Sequence, residues 1–186
     1  MKTFDYKNRK QILNLIESAD DKIETQYLLN QFETLKRKRK PFYLDMDDFE
    51  KVLKWKLRTQ YWRQVKLRTL NTSAIIKKVT ALVFEIKHEN ENYEIELKLK
   101  LLTCLAGVGI PIASAILTLT NPDNYAVIDF RAWRQIFDSN KTNYTIKDYL
   151  KYLKELKQLS KKYNLNLQKI DIAIWQYDID QNTKTI

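Results

Sequence analysis

Leu105-Ala106-Gly107-Val108-Gly109-Ile110-Pro111-Ile112-Ala113-Ser114-Ala115-Ile116-Leu117 is the stretch on which the fold turns. The chain has 186 residues and only 2 glycines, and both lie here, at Gly107 and Gly109. Glycine admits backbone at positive φ and lets a main chain approach a ligand closely. A Gly-x-Gly between two apolar, helix-favouring stretches therefore reads as a tight hairpin with outward-facing amides. Pro111 suits the first turn of the following helix, where no N–H is needed. The positive end of that helix and the turn amides together favour an anion. Taken alone, the same pattern also fits an ordinary helix-ending turn.

Composition indicates which anion to expect. Lys and Arg number 33 against 23 Asp and Glu, a net charge of +10. Such an excess favours DNA, RNA or an anionic membrane surface. The group expected at the hairpin is a nucleic-acid phosphate. With 44% hydrophobic and 30% charged residues, the chain is of globular rather than disordered type. Its length suits a single helical domain over 1–186, or two small helical lobes with a cleft. Within it we expect N-terminal helices and a basic linker over 1–40, then a core over 41–186 holding the hairpin at about 103–111.

Several chemistries drop out. The chain has 1 cysteine and 1 histidine. They cannot make a Cys/His zinc site, an iron–sulfur cluster or a disulfide framework. His88 lies in His88-Glu89-Asn90-Glu91-Asn92 and reads as a solvated loop residue, and Cys104, in a Leu-rich stretch, as a small core residue. The opening Met1-Lys2-Thr3-Phe4-Asp5 is charged rather than leader-like. No run approaches the roughly 18 apolar residues that span a bilayer. A cytoplasmic location, without a membrane partner, is the expectation.

Scarce Gly and Pro with abundant Leu, Lys, Ile and Glu predict an all-α protein. Apolar residues at helical spacing predict helices over 7–19, 22–37 and 46–58, with Asp45 and Asp48 as a helix-start box. Further helices are predicted over 72–87, 109–120, 130–138, 146–163 and 167–178, with Thr145 and Asn166 as caps. The run Lys36-Arg37-Lys38-Arg39-Lys40-Pro41 reads as a basic, solvated linker stopped by proline. Glu94-Ile95-Glu96-Leu97-Lys98-Leu99-Lys100-Leu101 alternates like a strand, yet Ile95, Leu99, Leu102 and Ala106 also fall at helical spacing. Its Leu, Glu and Lys tip the expectation to a helix leading into the hairpin.

Beyond the hairpin the chain reads Asn121-Pro122-Asp123-Asn124-Tyr125-Ala126-Val127-Ile128-Asp129-Phe130-Arg131-Ala132-Trp133. An L-x-G-V-G hairpin, a small-residue helix, a short loop and a V-x-D opening the next helix resemble the helix-hairpin-helix DNA glycosylase superfamily. The resemblance covers about 105–134. The chain is also similar to a small bacterial branch that shares a Trp-Lys-x-Arg helix, here Trp55-Lys56-Leu57-Arg58. The resemblance implies that Gly107, Val108 and Gly109 hold phosphate of duplex DNA through main-chain amides. It implies that carbonyls of Thr103, Leu105 and Val108 coordinate a monovalent cation, Na or K, with no other cofactor required. Asp129 matches the family's essential aspartate. Loss of a base from deoxyribose builds positive charge on the sugar, which a fixed carboxylate stabilises. Asp129 is equally a favoured helix cap. Pro111 stands where bifunctional members carry a Schiff-base lysine, so the resemblance implies a monofunctional, water-using glycosylase or a binder.

A flipped base needs aromatic or apolar walls. Trp55, Trp133, Trp175 and Tyr177 are the candidates for such a pocket, with Tyr61 and Trp62 behind them. Lys56, Arg58 and Arg131 are the candidate phosphate contacts. Trp55 and Trp62 would share one face if their helix continued, which makes at least one a core residue. The function expected is monofunctional excision of a damaged or modified base by a nucleoid-associated monomer. The alternatives are a non-catalytic helix-hairpin-helix DNA-binding module and a basic protein that meets RNA or an acidic partner.

Overall fold

The computed structural model describes residues 8–182, the side chain of Gln64 excepted. The opening residues Met1–Asp5 and residue 7, where the first helix was expected to begin, lie outside the described residues. Among the described residues the chain is all-α, with ten α-helices and no strand. None of these helices is long and apolar enough to cross a membrane.

The helices are α1 (Arg9–Glu17), α2 (Lys22–Lys38), α3 (Met46–Leu57), α4 (Val65–Arg68), α5 (Ser73–Glu85), α6 (Glu91–Thr103), α7 (Ile110–Thr120), α8 (Phe130–Phe137), α9 (Ile146–Tyr163) and α10 (Leu167–Asn182). A 3-10 stretch, Arg58–Gln64, joins α3 to α4. Short polar side chains set the starts, because the first turn of a helix has amides without intrahelical acceptors. Asp45 and Asp48 form the expected capping box on α3, Thr145 and Asp148 form another on α9, and Asn166 accepts from Lys169 N at 2.9 Å ahead of α10. Thr72 and Asn90 cap α5 and α6 in the same way.

The alternating stretch is helical, as α6. Ile95, Leu99 and Leu102 turn inward. Lys98 is buried beside them, and its ammonium is satisfied by Glu94 Oε1 at 2.5 Å and the Tyr125 hydroxyl at 3.2 Å. One buried charge with two partners is tolerable inside a helix; alternation alone misses it.

α7 is the centre of the packing. Every residue of it except Pro111 is buried, and it contacts α2, α3 and α6. Its hydroxyls bond back into their own helix: Ser114 Oγ to Pro111 O, Thr118 Oγ1 to Ser114 O and Thr120 Oγ1 to Ile116 O, each at 2.8 Å. α10 organises a second group of helices, packing on α1, α8 and α9. The two N-terminal helices thus serve both groups, α1 lying on α10 and α2 on α7.

Two local expectations are corrected. The basic run is not all solvated linker: its first three residues end α2. Arg39 donates to Asp45 Oδ2 at 2.7 Å, to Asp48 and to the Tyr43 carbonyl at 2.9 Å, fastening the end of α2 to the start of α3. Cys104 is exposed rather than core. α6 ends one residue before it, so its side chain is no longer carried on the inward stripe.

Candidate functional site

α3 stops at Leu57 because Arg58 takes φ of 48°, a region L-residues rarely adopt. Trp55 and Lys56 at the end of α3 and Arg58 at the break line a cleft of about 950 Å³ between the two helix groups. The α6–α7 turn, Asp129 to Arg131, Tyr144, Asp171 and Trp175 complete its walls. Continuation of α3 would have put Trp55 and Trp62 on one face. Instead Trp62 is 75% exposed, and Trp55 is buried with its indole N–H donating to Thr25 Oγ1 at 3.0 Å.

The turn between α6 and α7 is built from main chain. Gly107 has φ of 77°, which accounts for the glycine there. Gly109 has φ of −92° and caps α7, and a Cβ there would meet only Pro111 Cδ at 3.7 Å. Only the first of the two glycines is demanded by conformation. Val108 N donates to Leu105 O at 3.0 Å, so this amide is committed inside the turn rather than offered outward. The amides of Gly107, Gly109 and Ile110 have no acceptor among the described residues. Asn71, just before α5, clamps the turn from outside. Its Oδ1 accepts from Ala106 N and its Nδ2 donates to Ala106 O, both at 2.9 Å.

Asp129 caps α8, with Oδ1 accepting from Ala132 N at 2.9 Å. Its Oδ2 meets Lys56 Nζ at 3.4 Å, and the side chain keeps 20% of its surface open. The extended segment before it is held by buried side chains. Tyr149 OH donates to Ala126 O at 3.0 Å, Val127 N to Asp171 Oδ2 at 2.9 Å and Ile128 N to Ser114 Oγ at 3.1 Å. Tyr152 OH donates to the other oxygen of Asp171 at 2.5 Å. Burial, and then the nearby charge of Asp129, push the Asp171 carboxyl up to about 7. Burial also raises the phenols of Tyr149, Tyr152 and Tyr144 above the ordinary tyrosine range.

At the lip, the Trp175 ring lies 5.9 Å from the Arg58 guanidinium and 6.0 Å from that of Arg131. Arg58 is tied to Asp21 Oδ2 at 3.0 Å. Burial raises Asp21 above the usual carboxylate range, against the opposing pull of Arg58. Arg131 NH1 and Arg134 NH2 reach Asp178 Oδ2 at 3.1 and 2.7 Å. Burial works to raise the Asp178 carboxyl, but hydrogen bonds from Arg134, Gln135 and Arg131 outweigh it and hold it low.

The cleft thus gathers Trp55, Lys56, Arg58, Thr103, Leu105, Gly107, Val108, Gly109, Asp129, Arg131 and Trp175 from the sequence-derived candidates. It leaves out Trp133 and Tyr177. Trp133 turns inward on α8, its ring 4.1 Å from Phe137 and 5.5 Å from Tyr144. Tyr177 lies on the buried face of α10. Both are core aromatics, not cleft walls. Sequence reasoning passed over Asn71, Asp171, Tyr144 and Asp21. Asp171 did carry a signal, a lone carboxylate inside Ile170-Asp171-Ile172-Ala173-Ile174 at a core position of α10. The chain matches no protein-family model, no curated protein and no solved structure. Fold and site define the protein as an all-helical one whose cleft combines free main-chain amides, a charged lysine–aspartate pair and indole faces.

Proposed function

We propose that this protein is a helix-hairpin-helix DNA glycosylase, acting in the cytoplasm on the nucleoid, that hydrolyses the N-glycosidic bond of a damaged or modified base. The observation that carries the reading is Asp129: a partly open carboxylate, oriented by Ala132 N–H and Lys56, facing the cleft that the Gly107–Gly109 turn also lines. In this reading, the Gly107 and Gly109 amides and the start of α7 grip a backbone phosphate. The flipped nucleotide enters between Trp55 and Trp175. As the bond to the base breaks, positive charge grows on the deoxyribose, and Asp129 stabilises it while orienting the incoming water. Lys56 holds Asp129 in place, and with Pro111 in the turn the hairpin offers no amine to attack the sugar. A monovalent cation fits the carbonyls of Thr103 and Val108, which accept no hydrogen bond among the described residues, with Leu105 as a third oxygen. It would supply a positive charge that fastens the turn against phosphate.

The test is single-turnover base release from duplex oligonucleotides carrying a panel of lesions, comparing wild type with Asp129→Asn. Asparagine is as good a helix cap as aspartate, so α8 is kept while the charge is removed. The expected result is abasic-site formation that falls by about 10²–10³-fold in the variant while DNA binding is retained. Both oxygens of Asp129 already have partners, and this favours a second reading, a non-catalytic DNA-binding module with Asp129 as a cap. Tight binding with no release from any duplex would establish that reading instead.

A further inference from the structure

The cleft contains a second carboxylate, Asp171, on α10, and it differs from Asp129 in its burial and in having no cation bonded to it among the described residues. Asp171 is 7% exposed, whereas the Asp129 side chain is 20% exposed. Among the described residues no cation bonds to Asp171, while Asp129 has the Lys56 ammonium at 3.4 Å. Both oxygens of Asp171 touch neutral groups, the Tyr152 phenol and the Val127 amide. We propose that Asp129 and Asp171 form an unequal carboxylate pair, in which buried Asp171 keeps a proton and positions the Val127–Asp129 segment while Asp129 is paired with the Lys56 ammonium. The proposal rests on Asp129 as the acting carboxylate of the site.

The hydrogen bonding accommodates this division. Val127 N–H and Tyr152 O–H both donate to Asp171 and oppose its protonation, as does the Lys56 charge, but burial and the nearby Asp129 charge outweigh them. With a proton on Oδ1 the Tyr152 O–H turns away, while Oδ2 still accepts from Val127 N. The segment leading to Asp129 is therefore held the same way in either state. An ionised Asp171 would add a second negative charge to a poorly solvated cleft floor, and like charges there oppose double ionisation. The groups facing the pair are few. From α9 come Tyr152 and Tyr149, whose phenols burial keeps neutral. From α3 comes Lys56, whose charge pulls Asp171 down, and from the segment before α9 comes Tyr144, whose phenol burial and the Asp129 charge keep neutral. The α8 arginines Arg131 and Arg134 are engaged by Asp178. On α1, Arg9 donates to the Tyr163 carbonyl at 3.0 Å, and Lys10 and Glu17 are exposed. Burial and the Asp129 charge act in the same direction on Asp171, raising it to about 7. Asp171 is a positioning residue that also sets the charge of the site: it adds a negative charge to the cleft as pH rises through about 7.

The test is a pH titration of aspartate side-chain carboxyl carbons by NMR in wild type, Asp171→Asn and Asp129→Asn. Asparagine reproduces the protonated form, since its amide donates to Tyr152 and its oxygen accepts from Val127. The expected result is one aspartate with a midpoint near 7, absent in Asp171→Asn and lowered by about 0.5–1 unit in Asp129→Asn. A near-neutral titration that survives Asp171→Asn, or a midpoint that stays put in Asp129→Asn, would overturn the proposal. Should Asp171→Asn not fold, the shift in Asp129→Asn decides alone. Base release is measured beside it: a limb near pH 7 in the wild-type rate profile should vanish in Asp171→Asn. Because NMR does not depend on turnover, absent base release would sink the glycosylase reading and leave the pair standing.

Discussion

Asn71→Ala is the substitution that most directly tests whether the turn is held from outside. Asn71 is 5% exposed and exchanges two 2.9 Å hydrogen bonds with a single peptide unit, Ala106 N–H and C=O. Removing the side chain deletes both bonds and leaves a partly buried donor and acceptor without replacements. A buried neutral hydrogen bond contributes about 1 kcal/mol net, and an unsatisfied partner adds to the loss. The expected cost is about 2–3 kcal/mol. For a chain of this size that corresponds to a fall of about 5–10 °C in Tm. Urea unfolding gives the global loss, and amide exchange locates it. Ala106 and Val108, whose amides are bonded in the native turn, should exchange faster than amides in the middle of α7. A loss under about 0.5 kcal/mol, with unchanged exchange at Val108, would refute the argument. It would mean that the Gly107 turn stands on its own local geometry and that Asn71 merely lies beside it.

Two other perturbations follow from buried carboxylates of opposite sign. Asp171 sits near 7 in the fold against an ordinary 3.8, so the native state binds its proton more tightly. Its contribution to stability is complete below about pH 4 and is lost as pH rises through 7, a change of up to about 4 kcal/mol. Urea unfolding from pH 5 to 9 should show Asp171→Asn gaining on wild type as pH rises, and a constant difference would count against the burial argument. Asp178 behaves the other way, because its arginine partners hold it below the usual range. Its contribution is present above about pH 4 and disappears as pH falls through its lowered value. Asp178→Asn should cost about 2–3 kcal/mol at pH 7, since Arg131 and Arg134 are left without a counter-charge but keep some access to water. A cost that persisted unchanged at pH 2–3 would assign it to packing rather than charge.

Helices were legible because capping residues and apolar spacing are local. Thr145 marks the start of α9 in the sequence, and in the structure Asp148 completes its capping box. α6 was harder, because a buried lysine at position 98 made a helical face look like strand alternation. The α6–α7 turn and the α8 cap Asp129 lie on one contiguous stretch, so the sequence shows both at once. What stayed hidden depends on where chains far apart in sequence meet. Asn71 is an ordinary loop asparagine until the fold brings it against Ala106. Trp133 and Tyr177 are as aromatic as Trp175, and only their side of the helix makes them core. The end of α3 escaped for another reason: nothing in Leu57-Arg58-Thr59 announces a positive φ at an arginine.

Ser114 shows how the turn and the carboxylate are joined mechanically. It lies on α7, its Oγ donating to the Pro111 carbonyl at 2.8 Å and accepting from Ile128 N at 3.1 Å. One buried hydroxyl therefore connects the first turn of α7 to the amide N–H of Ile128, the residue before Asp129. Asp171 and Tyr149 hold the two preceding residues, so the segment has little freedom to move independently of α7. In a site that reads a phosphate at the Gly107–Gly109 turn and acts at Asp129, the distance between grip and charge would be set by α7 rather than by loop motion. Fixing such a distance before binding reduces the ordering that remains in the complex. Of the three buried hydroxyls on α7, those of Thr118 and Thr120 bond only within the helix, whereas Ser114 also accepts from Ile128 N, a link that another alanine at position 114 would not make.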